Sequence, residues 1–559
     1  MNPQNPLIVQ SDRTLLLEVN NSLFVDARDA ISVFAHLEKS PEYMHTYVIT
    51  PLSLWNAAAL GLSPDEAISR LEHFSKYPVP QNVTQEVYEF MGRFGKLVLE
   101  KRDGRLVLHS KDAALLENLS RHPTLRPLIG PPIDAHSISV SDDYRGLLKQ
   151  ALIGIGYPAN DKAGYVDGAP FEINLRHTIR GEKEFSLRNY QRQAADAFVG
   201  DSTSPGGSGV VVLPCGAGKT VVGMGVMSLL KRRTLILVTN ITAARQWSRE
   251  IVEKTDINPE DIGEYSGEKK EIKPLTIATY QILTYRRRKT DSFEHYSIFN
   301  KENWGLIIYD EVHLLPAPVF KFTANLQARR RLGLTATLVR EDGHEDDVFT
   351  LIGPKKFDVP WKELEKQGWI AEAKCIEIRI DLPHSEKMQY LSLPPKQQIR
   401  LAYENPVKMQ VAREILNRHT DDRILIIGLY ISQLKAFSKQ FGVPMITGST
   451  PNDERDKLYQ QFRTGELKVL ILSKVGNFAI DLPEANVAVQ ISGSYGSRQE
   501  EAQRLGRILR PKEGEQQATF YSIVTRESKE LDFAMKRQLF LTEQGYSYQI
   551  INQEEYQQN

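Results

Sequence analysis

From Gly209 onward the sequence sets short, almost uninterrupted apolar β runs against stretches of helical periodicity, and this rhythm limits the fold more than any other feature. One set comprises "GVVVLP" (209–214), "TLILVT" (234–239), "LTIATY" (275–280) and "WGLIIYD" (304–310). A second comprises "RILIIGLY" (423–430), "KVLILSK" (468–474), "NVAVQIS" (486–492) and "ATFYSIV" (518–524). Strands apolar on both faces need helices above and below, and parallel neighbours need crossover connections. Each set therefore predicts a parallel-sheet α/β domain. With 559 residues the chain has room for further domains, because single cores rarely exceed about 250–300 residues.

The first strand of the first set runs into "PCGAGKT" and then a helical segment with Val222, Val226, Leu229 and Leu230 at one-face spacing. Leu213, Pro214, Cys215, Gly216, Ala217, Gly218, Lys219 and Thr220 thus form a phosphate-binding loop candidate. Glycines let backbone N–H groups close on phosphate oxygens at a helix N-terminus, where the dipole favours anions. Lys219 would reach the β- and γ-phosphates and Thr220 would bind Mg²⁺. Leu213 stands where the commonest pattern has glycine, so the reading rests on the flanking strand and helix. Cys215 is expected as a small loop filler rather than a redox switch, since a reactive thiol must be exposed and of low pKa.

"WGLIIYDEVH" ends a strand on Asp310, at the sheet edge where ligands bind in such folds, and that carboxylate can hold hydrated Mg²⁺. Glu311 beside it can activate an attacking water. In the second set, "QEEAQRLGRILRP" (499–511) puts Gln503, Arg507 and Arg510 on one helix face. Arginines from a second domain can neutralise charge on a transferring phosphoryl group. Closure of two domains around one site would also couple hydrolysis to motion.

The rest of the chain reads differently. "TPLSLWNAAALGLSPDEAISRLEHFSKYPVPQNVTQEVYEFMGRFG" is helical and punctuated by prolines, and "KLVLEKRDGRLVLHS" is a hairpin turning at Asp103-Gly104. Residues 1–124 are expected as an α+β module, winged-helix-like or a generic α+β domain, and 125–180 as a small α/β unit. The α/β domains are placed at 181–371 and 411–545, with a proline-rich connector at 372–410 and a tail at 546–559.

Lys+Arg and Asp+Glu are equal at 70 each, so the global charge gives no nucleic-acid signal, and the clusters "RRRK" (286–289) and "RRR" (329–331) read as solvated faces. No apolar run approaches a membrane span and the N-terminus lacks a signal-peptide pattern, so the expected location is the cytoplasm, with no membrane partner. Two cysteines, Cys215 and Cys375, cannot form a four-cysteine metal or iron–sulfur site.

Taken together, "LRNYQRQA" (187–194), "LPCGAGKT", "DEVH", "TAT" and "QRLGRILR" resemble the motif series of superfamily 2 helicases. "IIYDEVHLLPAPVF", "LGLTATLVRED", "SKVGNFAIDLPEANVAVQIS" and "GSRQEEAQRLGRILRP" narrow the resemblance to the bacterial branch of the XPB helicase family. The resemblance implies two RecA-like domains, ATP and Mg²⁺ as cofactors, DNA junctions as substrate, 3′ to 5′ polarity, and a nuclease or repair partner. It further implies that Arg188 and Gln191 recognise adenine, that Asp481 contacts the ribose, and that His313 links the nucleotide to Gln503. By the same resemblance, Thr335 and Thr337 couple hydrolysis to movement, and Arg340, Glu341 and Asp342 act where strands part. Segments around Arg245, Gln246, Thr279, Tyr280, Gly448 and Ser473 would touch the DNA backbone, and residues 384–405 occupy the place of the family's thumb. An ATP-driven helicase is the leading expectation. A duplex translocase without processive unwinding and an ATP-regulated DNA-binding scaffold are the alternatives.

Overall fold

A computed structural model describes residues 2–39, 43–179, 183–200, 206–214, 216–286, 294–295, 298–316, 319, 323, 329–336, 347–359, 361–473, 485–493, 517–543, 546 and 548–558. They form two compact units, Met1–Leu213 with Gly218–Asp358, and Val359–Asn559 with the short Pro214–Ala217 segment.

The first unit contains a seven-stranded sheet in the spatial order Ile262–Tyr265, Leu275–Thr279, Thr234–Val238, Leu306–Asp310, Arg330–Thr335, Ser208–Val212, Lys355–Asp358. Every pairing in it is parallel. Leu235, Leu237, Ile307 and Tyr309 are fully buried in its core, as strands covered on both faces require. The helix Lys219–Leu230 follows the Ser208–Val212 strand, which lies next to the edge strand Lys355–Asp358, and is buried all round from Val221 to Met227, whereas Leu229, expected on the buried face, is half exposed.

The second unit repeats the architecture in the order Met445–Ile446, Val469–Leu472, Ile424–Ile427, Val487–Gln490, Gln517–Thr525, Glu372–Ile380, Tyr548–Asn552, again all parallel. Glu372–Ile380 lies in the span read as a connector, yet pairs along its whole length with Gln517–Thr525. Its apolar run is broken by Glu377 and Arg379, and Glu377 is nevertheless fully buried because Arg379 Nε (2.7 Å) and Gln538 Nε2 donate to it. Two helices follow, His384–Ser392 and Pro395–Tyr403, and the tail supplies the edge strand Tyr548–Asn552 and the helix Gln553–Gln558.

The N-terminal region is α+β, as expected. Leu7–Val9, Thr14–Glu18, Met44–Val48 and His36–Lys39 form an antiparallel sheet in that order. The helices Pro51–Ala59, Pro64–Phe74 and Gln81–Arg93 come next, the first two opened by capping boxes at Thr50 and Ser63 with proline in the first turn. Leu97–Arg102 and Arg105–Ser110 form the hairpin, with Asp103 (φ 50°) and Gly104 (φ 77°) both left-handed at the turn. This hairpin is not a free wing. It holds the centre of a five-stranded sheet with Pro132–Asp134 and Ser137–Val140 on one side and Ala159–Asp161 on the other, a sheet that draws strands from both sides of residue 124. Leu97, Leu99, Leu106 and Leu108 require that cover, and bury against Leu116, Leu148 and Leu152.

The cluster "RRR" (329–331) is not a solvated face. Arg331 is fully buried and donates from Nε to the Leu351 carbonyl at 2.7 Å, Arg330 pairs with Asp167 at 2.8 Å, and Arg329 donates to the Trp304 carbonyl at 2.6 Å.

Candidate functional site

The carboxyl ends of three adjacent strands gather the site. Val212 lies opposite Thr335 in register, and Leu213 N–H donates to the Thr335 carbonyl at 3.0 Å, so the phosphate-type loop leaves the sheet beside the strand that carries Thr335. Within the loop, Ala217 N–H donates to the Pro214 carbonyl at 3.2 Å and Gly216 is left-handed (φ 84°). Gly218 caps the Lys219–Leu230 helix at φ 84°, ψ 46°, and a Cβ there would stand 2.6 Å from Gln191 Nε2. Glycine is therefore required at 218 both for backbone conformation and for space. Gln191 itself is buried, and its Oε1 accepts the Arg188 N–H at 3.0 Å at the start of the Asn189–Val199 helix.

Opposite the loop, the strand Leu306–Asp310 delivers the carboxylates. Trp247 Nε1 donates to Asp310 Oδ2 at 2.9 Å, Glu311 N–H donates to Asp310 Oδ1 at 3.1 Å, and the Tyr280 hydroxyl donates to the Asp310 main-chain oxygen at 2.8 Å. Burial, with the Glu311 charge beside it, pushes the Asp310 carboxyl up to about 6 against the opposing pull of the Trp247 hydrogen bond and Lys219. Glu311 is left-handed (φ 49°, ψ 54°), a conformation that costs a non-glycine residue about 1–3 kcal/mol and tends to collect at functional sites. Its Oε1 lies 3.4 Å from Lys219 Nζ, while its buried Oε2 has no hydrogen-bond donor among the described residues. His313, almost fully buried, shares a 2.7 Å hydrogen bond between Nδ1 and Thr335 Oγ1 and lies 3.5 Å from Glu311 Oε2.

Lys219, Asp310, Glu311, His313 and Thr335 are thus brought together, with Thr220 one residue into the helix. The chemistry of the donors fits a hard, oxygen-preferring cation such as Mg²⁺, since a carboxylate and a hydroxyl are available and no thiolate is needed. Of the residues expected near DNA, Arg245 is half exposed and pairs with Glu268 at 2.8 Å, Gln246 bonds to Glu250 at 3.0 Å, and the exposed Gly448 accepts from Arg455 at 2.9 Å. Thr279, Tyr280 and Ser473 are buried side chains. Cys215, Thr337, Arg340, Glu341, Asp342, Asp481, Gln503, Arg507 and Arg510 lie outside the described residues. Trp247 is the site group that motif reasoning misses, and Tyr280, expected at the DNA backbone, instead gives its hydroxyl to Asp310; each reaches that residue from a distant position in the chain.

Three family models match the chain: "ERCC3/RAD25/XPB C-terminal helicase" over residues 364–559, "Type III restriction enzyme, res subunit" over 184–340, and "Helicase conserved C-terminal domain" over 7–134. A protein of Mycobacterium tuberculosis named DNA 3′-5′ helicase XPB is 52% identical over 546 residues, covering 98% of this chain and 97% of the relative. The chain belongs to the XPB family. A second XPB helicase, from Kineococcus radiotolerans, is 50% identical over 98% of this chain and 96% of its own length. The family extends to Saccharomyces cerevisiae, whose general transcription and DNA repair factor IIH helicase/translocase subunit XPB/SSL2 is 30% identical over 97% of this chain and 72% of the relative.

Proposed function

We propose that this XPB-family chain is an ATP-dependent DNA helicase that moves 3′ to 5′ and serves DNA repair. The observation that carries the reading is the cluster in which the phosphate-loop lysine, Lys219, stands 3.4 Å from Glu311, the neighbour of the strand-terminal Asp310. In this reading Gly216, Gly218 and Lys219 cradle the phosphates, and Gln191 with Arg188 holds the base. Thr220 and Asp310 hold Mg²⁺, which when bound offsets phosphate charge. Glu311 orients and deprotonates the attacking water, and Lys219 stands 3.4 Å from its carboxylate. His313 and Thr335, joined by their 2.7 Å hydrogen bond, link the carboxylates to the neighbouring strand and so carry the state of the site into the protein.

A second reading, duplex translocation without strand separation, is favoured by the yeast relative's own description as a helicase/translocase subunit. ATP turnover measured with single-stranded, duplex, forked and RNA substrates, alongside gel-resolved strand release, separates the two. Helicase action gives DNA-stimulated turnover and release of the strand from forks with a 3′ single-stranded arm. Strong turnover on duplex with no release leaves only translocation, and turnover indifferent to DNA removes both readings.

A further inference from the structure

The sheet of the first unit has a second loaded edge. Its carboxyl edge carries the Lys219–Glu311 cluster, while Ser208 and Arg331, at the amino ends of two adjacent strands, pair in register. From Ser208 to Leu213 the strand advances about 17 Å at roughly 3.3 Å per residue, so the two edges are separate places. At the amino edge a cavity of about 230 Å³ opens between the helicase-type sheet and the five-stranded sheet, lined by Lys149, Asp161, Lys162, Tyr165, Ser208 and Lys356 among others. That volume far exceeds the roughly 10–15 Å³ that one water needs.

Its charge is lopsided. Asp161 is the one carboxylate among the lining residues, and it is already engaged: Arg145 donates to it from Nε (3.0 Å) and Nη2 (2.7 Å), and Lys149 Nζ donates at 3.2 Å. Burial alone would raise that carboxyl, yet Lys149 and Arg145 hold it well below its usual range. Lys356 has no carboxylate or hydrogen-bond partner among the described residues, and burial pushes its ammonium group down. Lys162, exposed, stands at the same cavity. The Tyr165 hydroxyl donates to Ser208 Oγ at 2.8 Å, which leaves the Ser208 hydroxyl proton to point elsewhere. Even a half-buried ammonium group without a counter-charge is costly to keep charged unless something anionic joins it.

We propose that this cavity is a second anion site, in which Lys356, Lys149, Lys162 and the Ser208 hydroxyl hold a phosphate-type oxyanion, either a free small phosphate or the terminal phosphate of a DNA strand. Ammonium groups and a hydroxyl converging from separate elements suit a tetrahedral, multiply charged oxyanion, with each lysine acting as a point charge. The site is distinct from the nucleotide loop and needs no part of the hydrolysis machinery.

Thermal unfolding of the full chain in inorganic phosphate, compared with chloride at equal ionic strength, tests it with Lys219→Ala, Lys356→Met and Lys356→Arg. Phosphate is expected to raise the midpoint of the first unit's transition by roughly 3 °C in the wild type and in Lys219→Ala, and in Lys356→Arg, but not in Lys356→Met. Without phosphate, Lys356→Met should melt no lower than the wild type, because it removes a half-buried charge that lacks a counter-ion among the described residues. A phosphate effect that disappears in Lys219→Ala or persists in Lys356→Met overturns the proposal, and so does a lowered midpoint for Lys356→Met in chloride. Short duplexes ending in a 5′-phosphate or a 5′-hydroxyl then separate the sources. Tighter binding of the phosphorylated duplex, lost in Lys356→Met, assigns strand ends, whereas equal binding alongside the thermal effect assigns a free phosphate.

Discussion

At the scale of single residues, the site depends on two side chains held in costly states. Glu311 sits in a left-handed backbone conformation beside Asp310, and Asp310, largely withdrawn from solvent, has its carboxyl pushed up. That conformation is costly for a non-glycine residue, and here it accompanies a carboxylate that faces Lys219 at 3.4 Å. Glu311→Gln keeps the shape and removes the base. Nucleotide affinity should stay within about threefold while turnover falls by on the order of 10²-fold or more, as the loss of a general base does elsewhere. Stopped-flow nucleotide binding and steady-state phosphate release measure the two, and unchanged turnover would take Glu311 out of the chemistry. Trp247 acts through Asp310. Trp247→Phe keeps an aromatic ring near Gly223, whose added Cβ would meet the indole at 2.7 Å, but it deletes the donor to Asp310 Oδ2. With that hydrogen bond gone the carboxyl moves further up, so half-saturating Mg²⁺ should rise severalfold with little change in nucleotide KM. A Mg²⁺ requirement equal to the wild type's would reduce Trp247 to a packing residue.

At the scale of elements, the N-terminal sheet carries an acid sensitivity in the strand Met44–Val48. His45 is buried edge-on against Phe24, with ring centroids 5.2 Å apart, and burial, reinforced by the Arg28 charge, lowers it from 6.5 to about 4. Between those two values the unfolded chain binds a proton that the folded strand refuses, so stability is complete above the window and falls as pH drops through it. The full loss amounts to roughly 3 kcal/mol at about 1.4 kcal/mol per pH unit. Hydrogen exchange from this strand, corrected for its intrinsic pH dependence, should accelerate between pH 7 and pH 5 in the wild type but not in His45→Leu. The same strand shows where sequence reading is weak, since "MHTYV" alternates buried and half-buried residues and carries no unbroken apolar run. Ser208–Val212, Thr234–Val238 and Ile424–Ile427 are legible because both faces are buried, and so every residue is apolar or small. Glu372–Ile380 is not, since Glu377 interrupts its apolar run and is matched not only by Arg379 in the same strand but by Gln538, a partner more than 150 positions away, which local pattern cannot register. The site divides in the same way. Loop and strand-end motifs announce Lys219, Asp310 and Glu311, but nothing near Trp247 in sequence signals that its indole will meet a carboxylate.

At the scale of the whole molecule, the two units have separate cores, and each contains a buried ion pair that can be broken without touching the other. In the first, Asp161 ties Arg145 and Lys149 on the helix Arg145–Gly154 to the end of the five-stranded sheet. In the second, Lys408 Nζ meets Glu530 Oε1 at 2.5 Å, both fully buried, and also donates to the Ile491 carbonyl at 2.7 Å. Removing one partner of such a pair strands the other in a medium that solvates it poorly, at a cost of about 3–5 kcal/mol. Domains with their own cores tend to unfold as their own cooperative units. Calorimetry of the intact chain should therefore show two transitions. Asp161→Asn should lower one midpoint, and Lys408→Met the other, each by roughly 5–15 °C. Nucleotide with Mg²⁺ should raise at least the transition that Asp161→Asn lowers, because Lys219 and Asp310 belong to that unit. If both substitutions move one and the same transition, the chain unfolds as a single body, and nucleotide binding at Lys219 would then stabilise residues that belong to the other core.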